Sequence, residues 1–417
     1  MGNNVWILNH YAGTSYINEG GRHYWIAENL IKKGHPTTIF CSNIIHNSEN
    51  YIDTNKHIFE RKEINNIPYV FVKTVHYKNS KIKRIMNMVS FYLNIQKVFK
   101  EYLKFNEKPD VIYASSVHPL TLIAGIKLAK SLNIPCITEI RDLWPESLVA
   151  YGIIKQNSII AKILYSFEKR IYIKSDEIVM TWEGGKDYIK DKNWDKAISL
   201  EKVHHISNGV SLKQFDYNVN LYENSGKVET YNFVYTGSIR KVNNVNLLVD
   251  AAKVIQDRGI KNIKILIYGD GNEKDNLINK CKMENIENIL FKGKVEKKKI
   301  PSILCNSYVN LLHNTSTSLN KYGQSQNKLF EYLAAERPII QTYFTEYNII
   351  DKYNCGVVLR NQNKYEIADC IIKTCEHPEE MQEKGKNARY AAYHHDFEVL
   401  TEKILGIIKK SKKKGKK

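Results

Sequence analysis

Residues 321–340, KYGQSQNKLFEYLAAERPII, crowd a hydroxyl, a lysine and a carboxylate into the first turns of what reads as a helix ahead of a strand. Ser325 is placed to cap that helix, with Gln326 and Asn327 following. The free amides at 325–327 carry about half a positive charge, Lys328 adds a point charge, and Glu331 stands one turn further in. Amides and an ammonium group suit a diphosphate. A carboxylate at that depth suits the two hydroxyls of a ribose. The plain alternative is a capped helix with a surface lysine and glutamate.

A second stretch, FVYTGSIRKVNN, ends a strand-like run in Thr236–Gly237–Ser238 and follows it with Arg240 and Lys241. A glycine there lets backbone come close to a phosphate, and basic residues there neutralise it; a βα turn with solvated charges is the alternative. The IYGDGNEKDNL turn at 267–277 is of the same kind, and Asp270 within it and Val295 beyond the next strand are counted with the donor-binding residues. In the first half of the chain Gly20 and Gly21 open a helix where a side chain would bar a ligand. His118 ends a strand before a proline-started helix, and Glu139, Arg141, Asp142 and Glu146 gather around Trp144. His118 is read as facing a ligand and Trp144 as packing.

These residues need a scaffold that brings strand ends together. The 417 residues suit two domains, and 43% hydrophobic with 25% charged residues describes a globular chain. Strand candidates at 5–9, 37–41, 111–115, 136–140 and 177–181 alternate with helical stretches such as 22–33 and 119–131. The alternation restarts with 233–237, 263–269, 289–293, 309–313 and 338–342 beyond a polar seam at 207–232. That pattern predicts an α/β architecture of two Rossmann-like domains facing across a cleft. The expected divisions are 1–210, 211–390, and a last helix with basic tail, 391–417, returning toward the first domain.

The formal net charge is +18, and the final KKSKKKGKK holds seven lysines. Such an excess points to an anionic partner. The basic residues are otherwise dispersed and no recognition motif for nucleic acid is found, so nucleic acid is not expected. Seven cysteines without a C-x-x-C pair read as buried hydrophobes in a reducing compartment, and no metal is expected. No run approaches membrane-span length, and MGNNVWILNHYAG reads as a first strand rather than a signal peptide, so a cytoplasmic location is expected. Residues 77–108 begin basic (Lys78, Lys81, Lys83, Arg84) and then set Ile85, Met88, Val89, Tyr92, Leu93 and Ile95 on roughly one helical face, for a core or for an anionic bilayer.

In their order along the chain, GGR…GHPTTIF, PDVIYASSVHPL, EIRDLWPESL, ISNGV…F, YTGSI and YGQSQNKLFEYLAAERPII resemble glycosyltransferase family 4, retaining enzymes of the GT-B fold. SSVHPL and EIRDLWPE are similar to the branch that builds O-antigen and capsule, including N-acetylfucosamine transferases. The resemblance implies that Glu331 is the second, ribose-binding carboxylate of an E-x7-E motif. Gly323 stands where the first would be, Ser238 and Asn243 where Arg and Lys are usual, and Glu336 where a glycine is usual. It implies transfer of a sugar, with retention, from a UDP-sugar substrate to a lipid-diphosphate-linked acceptor, by an enzyme peripheral on the inner face of the cell membrane and without a cofactor. His118, Lys328 and Arg240 would then be catalytic. Gly21, Gly237, Ser238, Lys241, Asp270, Val295, Gly323, Ser325, Asn327 and Glu331 would hold the donor, and Arg141, Asp142 and Glu146 the acceptor. A nucleotide-sugar epimerase of the same architecture and a silent partner subunit are the alternatives.

Overall fold

The computed structural model describes the chain apart from residues 1, 47, 49, 78–79, 117, 223–229 and 415–417; Lys78 therefore lies outside the described residues. Two compact units are formed, Met1–Ser207 with Phe397–Lys417, and Asn208–Asp396. The first runs β1 (Val5–Leu8), α1 (Gly13–Ile17), α2 (Arg22–Lys32), β2 (Thr37–Ser42), β3 (Phe59–Ile64), β4 (Ile67–Val72), α3 (Lys81–Tyr102), β5 (Val111–Ser115), α4 (Pro119–Leu132), β6 (Cys136–Ile140), α5 (Glu146–Ala150), α6 (Ile159–Lys174), β7 (Glu177–Met180), α7 (Gly185–Asp191) and β8 (Val203–His205). The second runs α8 (Leu212–Leu221), β9 (Tyr231–Thr236), α9 (Asn246–Asp257), β10 (Ile263–Tyr268), α10 (Lys274–Met283), β11 (Ile289–Gly293), α11 (Ile300–Cys305), β12 (Val309–Leu312), α12 (Asn327–Ala334), β13 (Ile339–Gln341), α13 (Ile349–Lys352), β14 (Gly356–Val358), α14 (Lys364–Glu376) and α15 (Pro378–His394); α16 (Phe397–Lys414) then rejoins the first unit.

Among the described residues the first sheet has the order β3-β4-β2-β1-β5-β6-β7-β8, parallel except for the β3–β4 hairpin. The apolar strands are buried on both faces, as a parallel sheet covered by helices must be. Val5 and Ile7 of β1 share a core with α2 and with Phe397, Leu400, Ile404 and Ile408 of α16. Trp6 points the other way, onto Phe99 and Tyr102 of α3. The second sheet, β11-β10-β9-β12-β13-β14, is parallel throughout. Phe233 and Tyr235 of β9 pack with α9 and α14, and Val234 packs with α11 and α12. In both units the residues of interest follow carboxyl ends of strands, where ligands of open α/β sheets bind.

Three elements differ from the sequence expectation. The hairpin β3–β4 turns at Asn65 and Asn66, with φ of 49° and 63°, the two-residue turn that asparagines favour. The polar seam holds a helix that the alternation of runs did not mark: α8 lies within it and buries Leu212 and Phe215. The 77–108 segment forms α3, whose buried residues are Asn87, Phe91, Ile95, Val98, Phe99 and Tyr102. Ile82, Ile85, Met86, Val89 and Leu93 are exposed, so the apolar face read from the sequence is in part an outer one.

Candidate functional site

In the second unit the carboxyl ends of β9, β10 and β11 border an open cavity of about 480 Å3, lined by Gly237, Ser238, Arg240, Tyr268, Gly269, Asp270, Gly271, Lys294, Val295 and Ile300. Close backbone stacking shapes it. Gly237 N donates to Tyr268 O at 3.0 Å, Gly269 N to Gly293 O at 2.9 Å and Ile239 N to Asp270 O at 2.9 Å. Gly269 has φ of 151°, and a Cβ there would lie 1.7 Å from Gly237 O, so no other residue fits this turn. Arg240 is exposed and lines the cavity. Lys241, also exposed, opens the 3-10 turn Lys241–Asn243 and is absent from the lining. Ser238 Oγ donates to Asn243 Oδ1 at 2.7 Å, so the two residues standing where Arg and Lys are usual bond to each other.

α12 is anchored beside the same strand end. Tyr332 Oη accepts from Thr236 N at 2.8 Å, and Lys328 Nζ lies 4.4 Å from the centre of the Tyr235 ring, whose hydroxyl donates to Ser238 O at 3.0 Å. Lys328 Nζ also donates to His313 O at 2.9 Å. Burial lowers its pKa to about 7. The imidazole of His313, lowered by burial to about 4, is neutral and held between Thr342 Oγ1 at 2.6 Å and Asn244 O at 2.9 Å. Lys328 is thus a half-buried amine whose described partners are a carbonyl and a ring. An anion arriving there gains far more than it would at a solvated lysine.

The helix itself corrects one reading. α12 begins at Asn327, its N-cap is Gln326, and no side chain caps it. Ser325 is not the cap. Its Oγ accepts from Asn208 Nδ2 at 3.0 Å and its carbonyl from the same amide at 2.5 Å. Gln326 turns its own amide to Tyr343 Oη at 2.7 Å. The free first-turn amides are left open where a capping hydroxyl would have used one. Glu331 is half-buried, no hydrogen bond to its carboxylate is formed among the described residues, and burial raises its pKa against the charge of Lys297. Gly323 is buried with φ of 94°, a conformation that would strain a glutamate. Glu336, where a glycine is usual, has φ of 55° and carries that strain.

In the first unit His118 is the N-cap of α4, and its Nε2 lies 2.5 Å from His10 Nδ1. Burial lowers both rings, His118 to about 4, so both are neutral at pH 7 and one donates to the other. His118 Nδ1 is left without a hydrogen-bond partner. His10 stacks on Phe91 with ring centres 4.6 Å apart. It went unread because its partner, His118, lies far along the chain and no local pattern links the two. Glu139 Oε1 accepts from Arg22 Nε at 2.7 Å and Tyr113 Oη at 2.5 Å, and Oε2 from Ser115 Oγ at 2.6 Å, with His23 Nε2 at 3.0 Å. Gly21, with φ of 110°, is the N-cap of α2 just ahead of that network. Asp142 is exposed; Arg141, half-buried, donates its amide to Ser116 Oγ at 3.0 Å. Glu146 is engaged inside the unit, with Lys192 Nζ and with Tyr165 Oη at 2.6 Å. Among the described residues no group of three or more His, Cys, Asp or Glu is arranged to hold a metal ion.

Gly237, Ser238, Arg240, Asp270 and Val295 are therefore brought together in one cavity, with Lys328 beside it through Tyr235. Tyr268, Lys294 and Ile300 in the lining were not foreseen; a tyrosine ending an alternating strand and one lysine among several offer no distinguishing pattern.

Residues 24–214 match the family model described as Glycosyltransferase Family 4, and residues 230–377 the one described as Glycosyl transferases group 1. No protein of curated function matches the sequence. Among solved structures the chain is similar to sucrose-phosphate synthase from Thermosynechococcus elongatus, with 15% identity and a TM-score of 0.72 over 98% of each chain. It is similar to HepE of Anabaena in complex with UDP, with 11% identity and a TM-score of 0.67 over 98% of this chain and 100% of that one. It is also similar to WaaG, a glycosyltransferase involved in lipopolysaccharide biosynthesis, with 14% identity and a TM-score of 0.64 over 97% of this chain and 99% of that one. At such identities the structural likeness is one of fold.

Proposed function

The chain being a glycosyltransferase of the GT-B fold, we propose that it moves a sugar from a UDP-sugar to a lipid-diphosphate-linked acceptor in capsule or O-antigen synthesis, with retention of anomeric configuration. An N-acetylated amino or deoxyamino sugar is the proposed cargo. The observation that carries the donor half is Lys328, a half-buried amine with a pKa near 7 set against the glycine-bearing turn after β9. As the sugar–phosphate bond breaks, negative charge grows on the diphosphate. Lys328, Arg240 and the open amides at the start of α12 stabilise that charge, the kind of contribution that dominates such reactions. Glu331 accepts from the ribose hydroxyls. His118, neutral and with Nδ1 free of a hydrogen-bond partner, donates to or accepts from the donor's sugar or phosphate through that atom.

The acceptor half rests on the first unit. Asp142 orients the attacking hydroxyl and Arg141 meets the acceptor phosphate; Glu146 supports them through its internal contacts. The basic surface and the exposed apolar residues of α3 favour an acceptor carried at an anionic membrane. WaaG, with its role in lipopolysaccharide biosynthesis, supports the same direction, and HepE with UDP supports the choice of base.

The test is a thermal-shift panel of UDP, GDP, ADP and dTDP sugars followed by transfer assays. UDP-sugars alone should raise the melting temperature, since a ligand that binds only the folded form stabilises it. Transfer should then occur to a lipid diphosphate sugar. Stabilisation by another base overturns the donor assignment. Turnover of donor without any acceptor favours the epimerase, and transfer to a soluble sugar phosphate alone overturns the lipid-linked acceptor.

A further inference from the structure

On the first unit, at the amino ends of β5 and β6 and so on the side away from His118, α4 and α6 leave a groove of about 1040 Å3 that also reaches Ser411 and Lys412 of α16. Its apolar lining comes from Ile123, Ile126, Ala129, Ile134, Phe167 and Ile171, and its cations are Lys108, Lys127, Lys130, Arg170, Lys174 and Lys412. Two carboxylates also line it, and both are engaged. Asp110 accepts from Lys412 Nζ at 2.7 Å and from Asn4 N at 2.8 Å. Asp176 accepts from Cys136 N at 2.8 Å. Of the six cations only Lys412 is ion-paired among the described residues.

The apolar lining continues out of the groove. Ile160, Ile163 and Phe167 are 61%, 54% and 45% exposed, and their spacing puts them on one face of α6 with Ile171 and Lys174. Lys412, within the lysine-rich stretch that starts at Lys409, lines the same groove. Cations alone would suit any polyanion, and an apolar slot alone any greasy partner. A slot with an apolar lining, a positive rim and a protruding apolar ridge fits a molecule that is both anionic and aliphatic.

We propose that this groove takes up an anionic phospholipid at a bilayer surface, its phosphate on the Lys130, Arg170 and Lys174 rim and its acyl chain along Ile126, Ile134 and Phe167, with Ile160 and Ile163 entering the headgroup layer. The contact is separate from the outer face of α3, since α4 packs between α3 and α6. It also lies at the opposite strand ends from the residues assigned to transfer, and it does not depend on that chemistry.

The experiment is flotation of the full chain with phosphatidylcholine vesicles containing roughly 30% phosphatidylglycerol, against pure phosphatidylcholine, with no sugar nucleotide present. Binding to the anionic vesicles alone is expected, with a loss of roughly tenfold between about 0.05 and 0.3 M salt. The Lys130→Glu/Arg170→Glu/Lys174→Glu variant should lose roughly tenfold or more, and Phe167→Ser, which leaves the charge unchanged, should lose severalfold. An unchanged melting temperature checks the fold of each; Arg170→Gln alone serves if the triple variant does not fold. Equal binding to neutral vesicles, wild-type binding by the charge variant, or no effect of Phe167→Ser overturns the proposal. Because no donor is present, failure here leaves the transfer reaction standing, and failed transfer leaves the groove standing.

Discussion

Two sites, the Glu139 network of the first unit and the start of α12 in the second, treat charge in opposite ways. In the first, Glu139 is fully buried and takes donors from Arg22, Tyr113 and Ser115, with His23 beside it, while Arg22 spends its other nitrogens on Ser207 O at 2.5 Å and Ile206 O at 3.2 Å. Arg22 and its neighbours hold that carboxyl well below the usual carboxylate range despite the burial. In the second, Lys328 has a carbonyl and a ring for company, and Glu331 has no hydrogen bond among the described residues. Charges that satisfy one another hold a fold together. Charges left among neutral neighbours are set for something that arrives from outside.

That contrast can be broken by experiment, and the largest effect belongs to the satisfied network. Glu139→Ala strands Arg22 in the interior and should cost about 3–5 kcal/mol, seen as a melting temperature lower by about 10 °C. A loss within a degree or two would mean the network is dispensable. Next is Lys328→Met, which should leave the melting temperature unchanged or raise it, and cut kcat about a hundredfold, or about 3 kcal/mol. Turnover close to the unsubstituted enzyme would remove Lys328 from the reaction.

The smallest effect sharpens the comparison through pH. The folded pKa of Lys328, about 7, lies below its ordinary 10.5, so the unfolded chain binds more protons between those values. Stability through this group therefore rises as pH climbs from 7 toward 10. A bound diphosphate reverses the preference by raising the pKa. At pH 8, calorimetry in buffers of different ionisation enthalpy should record up to about one proton taken up per UDP bound, with affinity weakening above pH 7. Lys328→Met should abolish the uptake; uptake that survives points to another group.

How far the sequence speaks depends on where each residue sits. Strands such as β1, β5 and β9 were legible because burial on both faces demands continuous apolar runs. FERKEI, the edge strand β3, was not, since its exposed surface demands none, although Asn65–Asn66 marked the turn. β8 and β14 are three residues each, too short for any period to show. In the site, Lys328 stood out as a charge beside the apolar face of a short helix. The cap was misplaced by one residue because Ser325 carries the right side chain while its carbonyl and hydroxyl are bonded to Asn208. His10 was missed because its meaning comes from His118, more than a hundred residues away.

The return of α16 to the first unit has a consequence for how the polypeptide comes into being. Leu400, Ile404 and Ile408 cover Val5, Ile7 and α2, which are made long before them. The second unit has the last of its described strands by residue 358 and its last helix by 394. The unit whose synthesis starts earlier is thus the one that closes later, and its apolar flank stays uncovered until α16 has been made.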